Sequence, residues 1–209
     1  MLGTLRFSCV VIGCLILASL LSAQDFSADV VNTKGNAGLN KIYATKDKVR
    51  FEADQRQEAM GPVAMILDES QSKWVLLLTQ RHMYLDSLPA MMKKPILTQF
   101  WHVEEVDDAC PQWKKLVDQL GTSSNWGSCT KIGGDTVTGR STVKYEGVSK
   151  QGDKNYFWID RKLHCVIKTD GENGGIELRN IQEGSQPSSL FEIPAGYMKV
   201  DLGAMMRSQ

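Results

Sequence analysis

Alternation at a period of two constrains this chain more than any other feature. Val49, Phe51 and Ala53 are apolar while Arg50, Glu52 and Asp54 are charged, so one face of an extended segment is buried and the other is wet. Similar short segments fill Phe26 to Asp86. Leu39 to Thr45 reads as a strand turning at Asp47-Lys48, and Pro62 to Asp68 pairs with Lys73 to Thr79 across Glu69-Ser70-Gln71-Ser72. Val75-Leu76-Leu77-Leu78 is apolar at every position, so this strand must be covered on both sides.

The middle of the chain offers the cover. Pro111 to Leu120 reads as a helix, with Trp113, Leu116, Val117 and Leu120 on one stripe, Pro at the first turn and Gly121 at the stop. Leu88, Met91, Met92 and Ile96 form a second stripe that Pro95 must break. Gly121 to Ser128 is loop by composition. Strands resume at Ser141 to Ser149, Asn155 to Asp160, His164 to Lys168 and Ile176 to Ile181. Connections this short exclude parallel crossovers and make the neighbours antiparallel.

The N-terminus predicts export. Arg6 precedes the apolar run from Phe7 to Leu21, closed by Ser22-Ala23 and followed by Gln24-Asp25, the pattern of a signal peptide over residues 1–23 cleaved after Ala23. Two alternatives stay open: an uncleaved anchor, for which the run is slightly short, and a lipoprotein box, Val11-Ile12-Gly13-Cys14. Residues 24–209 then form a single soluble domain in the periplasm or outside the cell. The full chain has 24 Lys and Arg against 24 Asp and Glu, a balance that points away from nucleic acid. Cleavage leaves Cys110, Cys129 and Cys165. Cys110 with Cys129 is the favoured pair because they bracket the helix, and Cys129 with Cys165 is the alternative.

Catalytic patterns do not emerge. His164 and Cys165 invite a thiol mechanism, but neighbours on a strand point to opposite faces, and Cys165 between Leu163 and Ile167 reads as a small buried hydrophobe. His102, Glu104, Glu105, Asp107 and Asp108 form an acidic cluster without metal-ligand spacing, and carboxylates ahead of a helix complement its dipole. Gly133-Gly134 and the Gly171 to Gly175 stretch lack phosphate-loop patterns and read as hairpin turns. No enzyme activity, cofactor or metal is expected. Nine methionines, among them Met60 and Met65 on either side of Pro62, would give a deformable apolar surface.

Several segments together carry a family likeness: Lys48-Val-Arg-Phe-Glu52, Ile132-Gly-Gly-Asp-Thr-Val-Thr-Gly-Arg140 leading to Lys144-Tyr145-Glu146, Phe157-Trp158-Ile159-Asp160 with Ile167-Lys168, and Phe191-Glu-Ile-Pro-Ala-Gly-Tyr197. With the exported start, they resemble the LolA/LolB/LppX-like superfamily of periplasmic lipoprotein carriers, in its uncharacterised bacterial branch. The resemblance implies a mostly β, α+β fold. Its large curved antiparallel sheet, an incomplete barrel, would have short helices covering the concave face and an apolar cavity between.

The expected function is therefore that of a carrier holding a lipid or acyl chain against Trp74, Leu76, Leu78, Met91, Met92, Phe100 and Trp113. The alternative is an interaction or envelope sensor module that docks a protein partner and takes no small ligand.

Overall fold

A computed structural model describes residues 25–33, 40–54, 61–71, 73–86, 102–119, 121, 125–172 and 174–200. Twelve strands among them form one curved sheet that does not close. They are β1 (Phe26–Asn32), β2 (Lys41–Ala44), β3 (Lys48–Ala53), β4 (Val63–Asp68), β5 (Lys73–Leu78), β6 (Met83–Leu85), β7 (Trp126–Val137), β8 (Arg140–Ser149), β9 (Lys154–Asp160), β10 (Val166–Gly171), β11 (Ile176–Glu183) and β12 (Met198–Lys199). The described α-helix, α1, spans Ala109–Gln119.

The sheet order is β12-β6-β5-β4-β3-β2-β1-β11-β10-β9-β8-β7. Two antiparallel meanders are thus joined where β1 pairs with β11, Phe26 opposite Glu183 and Val30 opposite Leu178. Only the short β12 runs parallel to its neighbour, β6. The alternation read from Val49 to Asp54 is seen directly: Val49, Phe51 and Ala53 are buried and Lys48, Arg50 and Glu52 are half-buried.

Register carries one apolar face across the first meander. Val49 lies opposite Leu67, and Leu67 opposite Trp74; Phe51, Met65, Leu76 and Leu85 form the next row. On the reverse face, Ala64, Ile66, Val75 and Leu77 pack with Phe191 and, around it, Leu190, Ile193 and Tyr197. Both sides of β5 are therefore covered, as the run from Val75 to Leu78 requires. The cover of this reverse face is a C-terminal strap, however, and not the mid-chain helix.

Three hydrogen bonds hold the strap. Arg50 donates from its guanidinium to the Leu190 carbonyl at 2.9 Å, and the Met198 and Val200 amides donate to His82 and Tyr84. Helix α1 sits at the other end of the sheet, where Val103, Val106 and Ala109 pack with Val143, Tyr145, Phe157, Ile159 and Val166. The helical stripe from Leu88 to Ile96 falls outside the described residues, as does the signal segment.

Three local readings are corrected. Strand β7 already begins at Trp126, inside the segment read as loop, and Gly133-Gly134 lie within it. The strand is irregular there, with pairing shifts between Trp126 and Ser128 and between Lys131 and Gly133. Gly133 has φ 148°, a geometry that favours glycine at a bulge. The hairpin turn is instead Thr138-Gly139, both with positive φ, which matches the twist of the flanking strands. Strand β10 starts at Val166, because His164 adopts φ 54° and leaves the extended region.

Candidate functional site

Strand β5 places Trp74, Leu76 and Leu78 on one face by simple alternation. They are 4–6% exposed and cluster with Leu67 and Leu85, flanked by Val63, Met65 and Met83. Trp113 does not join them. It projects from α1 onto Phe157, edge to face at 4.0 Å between ring centroids, and belongs to the core at the far end of the sheet. Met91, Met92 and Phe100 fall outside the described residues. The expected lining thus divides between two separate clusters, because β4, β3, β2, β1, β11 and β10 intervene between β5 and β9.

Between those clusters lies a pocket that the sequence reading did not single out. Phe26, Ile42, Ala44, Val49, Leu163, Cys165 and Leu178 give it apolar walls, and Thr45, Lys46, Glu69 and His102 add polar groups. Its floor comes from β1, β2, β3 and β11, and the turn ahead of β10 forms another wall. The free space is about 30 Å³, room for a water or two or the tip of an alkyl group. Val49 continues the floor by register into Leu67 and Trp74. Of the lining residues, alternation had marked Val49 as buried; that Leu163 and His102 meet the strands depends on distant segments and left no local signal.

The segment entering α1 is held by several independent ties. Cys110 and Cys129 form a disulfide between the helix and β7, with Cα atoms 5.6 Å apart. The Tyr145 hydroxyl donates to the Val106 carbonyl at 2.7 Å and accepts from the Ala109 amide at 3.3 Å. Gly147 lets Trp113 approach β8, since a Cβ there would lie 3.2 Å from its ring. Within the acidic cluster, Asp107 pairs with Arg161 and Lys131 at 2.6 Å each. Those hydrogen bonds, Arg161 first and Lys131 second, hold its carboxyl below the usual range.

Cys165 is the free thiol among the described cysteines, and it is buried. Burial, and then the Asp160 carboxylate, push it well above the ordinary thiol value, so it holds its proton and is a poor nucleophile. His102, which forms a backbone bridge with Cys165, is pushed below the usual imidazole value by burial and next by His164, with Glu104 opposing. Among the described residues, no group of three or more His, Cys, Asp or Glu could hold a metal ion. The arrangement suits apolar contact: a continuous greasy floor, one small pocket and few polar groups.

No family model matches the chain, and no curated protein matches it. Solved structures do. An uncharacterised conserved protein of Thermus thermophilus is similar at 11% identity, with a TM-score of 0.51 over 85% of this chain and 90% of that one. This likeness is one of fold. PNGF-II matches at 11% identity and a TM-score of 0.49 over 88% of this chain, which spans only 32% of that protein. Lipoprotein LppX of Mycobacterium tuberculosis is similar at 10% identity, with a TM-score of 0.35 over 77% of this chain and 83% of that one.

Proposed function

We propose that this protein is an exported binding or carrier protein that holds a hydrophobic ligand, a lipid or acyl chain, against the apolar face of its sheet. One observation carries the reading: the floor of Phe26, Ile42, Val49, Leu67, Trp74, Leu76 and Leu78 continues from strand to strand, and a pocket opens into it. Each methylene buried on such a surface contributes roughly 0.8 kcal/mol, so useful affinity requires no precise polar chemistry. The disulfide fits an oxidising compartment and agrees with removal of residues 1–23 during export.

A second reading is favoured by the size of the pocket. A space of about 30 Å³ receives an alkyl tip but no whole chain unless side chains move aside, and a protein-docking or envelope sensor module needs no such space. Native mass spectrometry of the full chain, gently purified from its exported form, separates the two. Bound lipid, lost in a Leu76→Asp variant that still folds, is the carrier outcome. Uniformly ligand-free protein would overturn it and leave the docking module.

A further inference from the structure

His102 and His164 are two of the three histidines in the chain, and they stack with ring centroids 6.0 Å apart and planes 18° from parallel. They belong to segments that close on each other. The Val103 amide donates to the His164 carbonyl at 2.7 Å, and His102 bridges to Cys165. His164 Nδ1 lies 3.0 Å from the Val103 carbonyl and 3.1 Å from that of Glu104. Carbonyls only accept, so Nδ1 carries the hydrogen and donates to both.

His164 sits at φ 54°, in the left-handed region that histidine enters more readily than most side chains. The junction is held by the Val103 amide on the His164 carbonyl, by His164 Nδ1 on the Val103 and Glu104 carbonyls, and by the His164 amide on the Asp160 carbonyl at 3.0 Å. Releasing residues 102–104 breaks the first three of these bonds and leaves the last, so the turn ahead of β10 can persist while the segment leaves it.

We propose that the two histidines form an acid-released latch: a proton on His102 detaches residues 102–104 from the turn ahead of β10 and opens one wall of the pocket. The His164 ring from that turn and Glu104 from its own segment act on His102, and Cys165, Glu69 from the β4–β5 turn and Lys46 from the β2–β3 turn line the same pocket with it. Burial and the neighbouring ring disfavour a charged His102, whereas solvent accepts it. The closed form is then fully favoured above about pH 6.5, the free imidazole value, and loses that advantage as pH falls toward the lowered value. The latch is a property of the fold and stands whether or not the pocket takes a guest.

Hydrogen–deuterium exchange on the intact, disulfide-bonded chain tests it, at about pH 7.5 and about pH 5 with intrinsic rates corrected. Protection of peptides covering 102–108 is expected to be lost in part at the lower pH, while β8 and β9 hold theirs. His102→Gln removes the titrating ring, and its protection should no longer differ between the two conditions. Equal wild-type protection at both pH values, or an unchanged drop in His102→Gln, overturns the proposal. Should the variant lack protection throughout, an NMR titration of the wild type decides: the Val103 amide and the His102 ring must shift with one shared midpoint, and separate midpoints refute the latch.

Discussion

Removing the Cys110–Cys129 disulfide gives the most quantitative test of how the helix is held. The two residues are 19 apart in sequence, and for a loop of that length the chain-entropy relation gives about 3 kcal/mol of stabilisation at 25 °C. Almost all of it acts on the unfolded chain, because Trp113 on Phe157 and the Tyr145 hydroxyl on Val106 still dock α1 once the sulfurs are gone. A Cys110→Ala/Cys129→Ala variant should therefore keep a native far-ultraviolet circular dichroism spectrum. Its thermal midpoint should drop by about 6–12 °C, at roughly 2–4 °C per kcal/mol for a domain this size. In urea its midpoint should fall by roughly 1–1.5 M, with a steeper m because the uncrosslinked chain exposes more surface on unfolding. A variant within about 0.5 kcal/mol of the wild type, a margin typical of a surface change, would refute the argument. So would a helix that melts at low temperature before the sheet, since that would make the staple a native-state tie.

Three other perturbations have defined outcomes. Gly147→Ala forces a methyl against the rigid Trp113 ring at 3.2 Å and should cost about 1–3 kcal/mol, read from urea unfolding followed by tryptophan fluorescence. Asp160 is 1% exposed, pairs with Arg140 and accepts from the Lys162 and Leu163 amides at 2.8 Å; Asp160→Ala strands those donors and should cost about 3–5 kcal/mol in the same assay. The Glu177 carboxyl is lowered by Arg179 and then Lys168, and that of Glu183 by Lys162 and then Arg140. Their stabilisation is complete above the unfolded glutamate value of about 4.3 and is lost as pH falls through the lowered values. The urea midpoint should accordingly decline on acidification below about pH 4, and a midpoint unchanged down to about pH 2 would contradict the assignment.

How far the site could be read ahead of the structure differs residue by residue. Val75 to Leu78 announced its double burial, because an uninterrupted apolar strand has no wet side. Its cover, Phe191 with Leu190, Ile193 and Tyr197, lies in a segment without periodicity, since a 3-10 turn at Ser188–Phe191 followed by irregular chain imposes none. Trp113 was legible as part of the helix's apolar stripe and was expected to line the ligand cavity, but not as a neighbour of Phe157, because a stripe of apolar residues names a buried face and leaves its partner open. The cysteine pairing stood between two alternatives until the Cα separation of 5.6 Å decided it. The bulge at Gly133 looked like a turn for a simple reason: glycine marks an unusual backbone geometry and does not say which.

The sequence by itself determined β2 to β5 and β8 to β11, the buried and wet faces of β3, the helix at α1 and the antiparallel hairpins, all of which follow from side-chain alternation and short connections within a few residues of each other. Only the tertiary structure decided that β1 lies beside β11, that the C-terminal strap crosses β4 and β5, and that His102 and Leu163 close the pocket over Phe26 and Ile42. The physical reason is one of range. Backbone geometry and burial pattern are written into neighbouring residues, whereas the choice among distant apolar faces is made by which of them fit together when the whole chain packs.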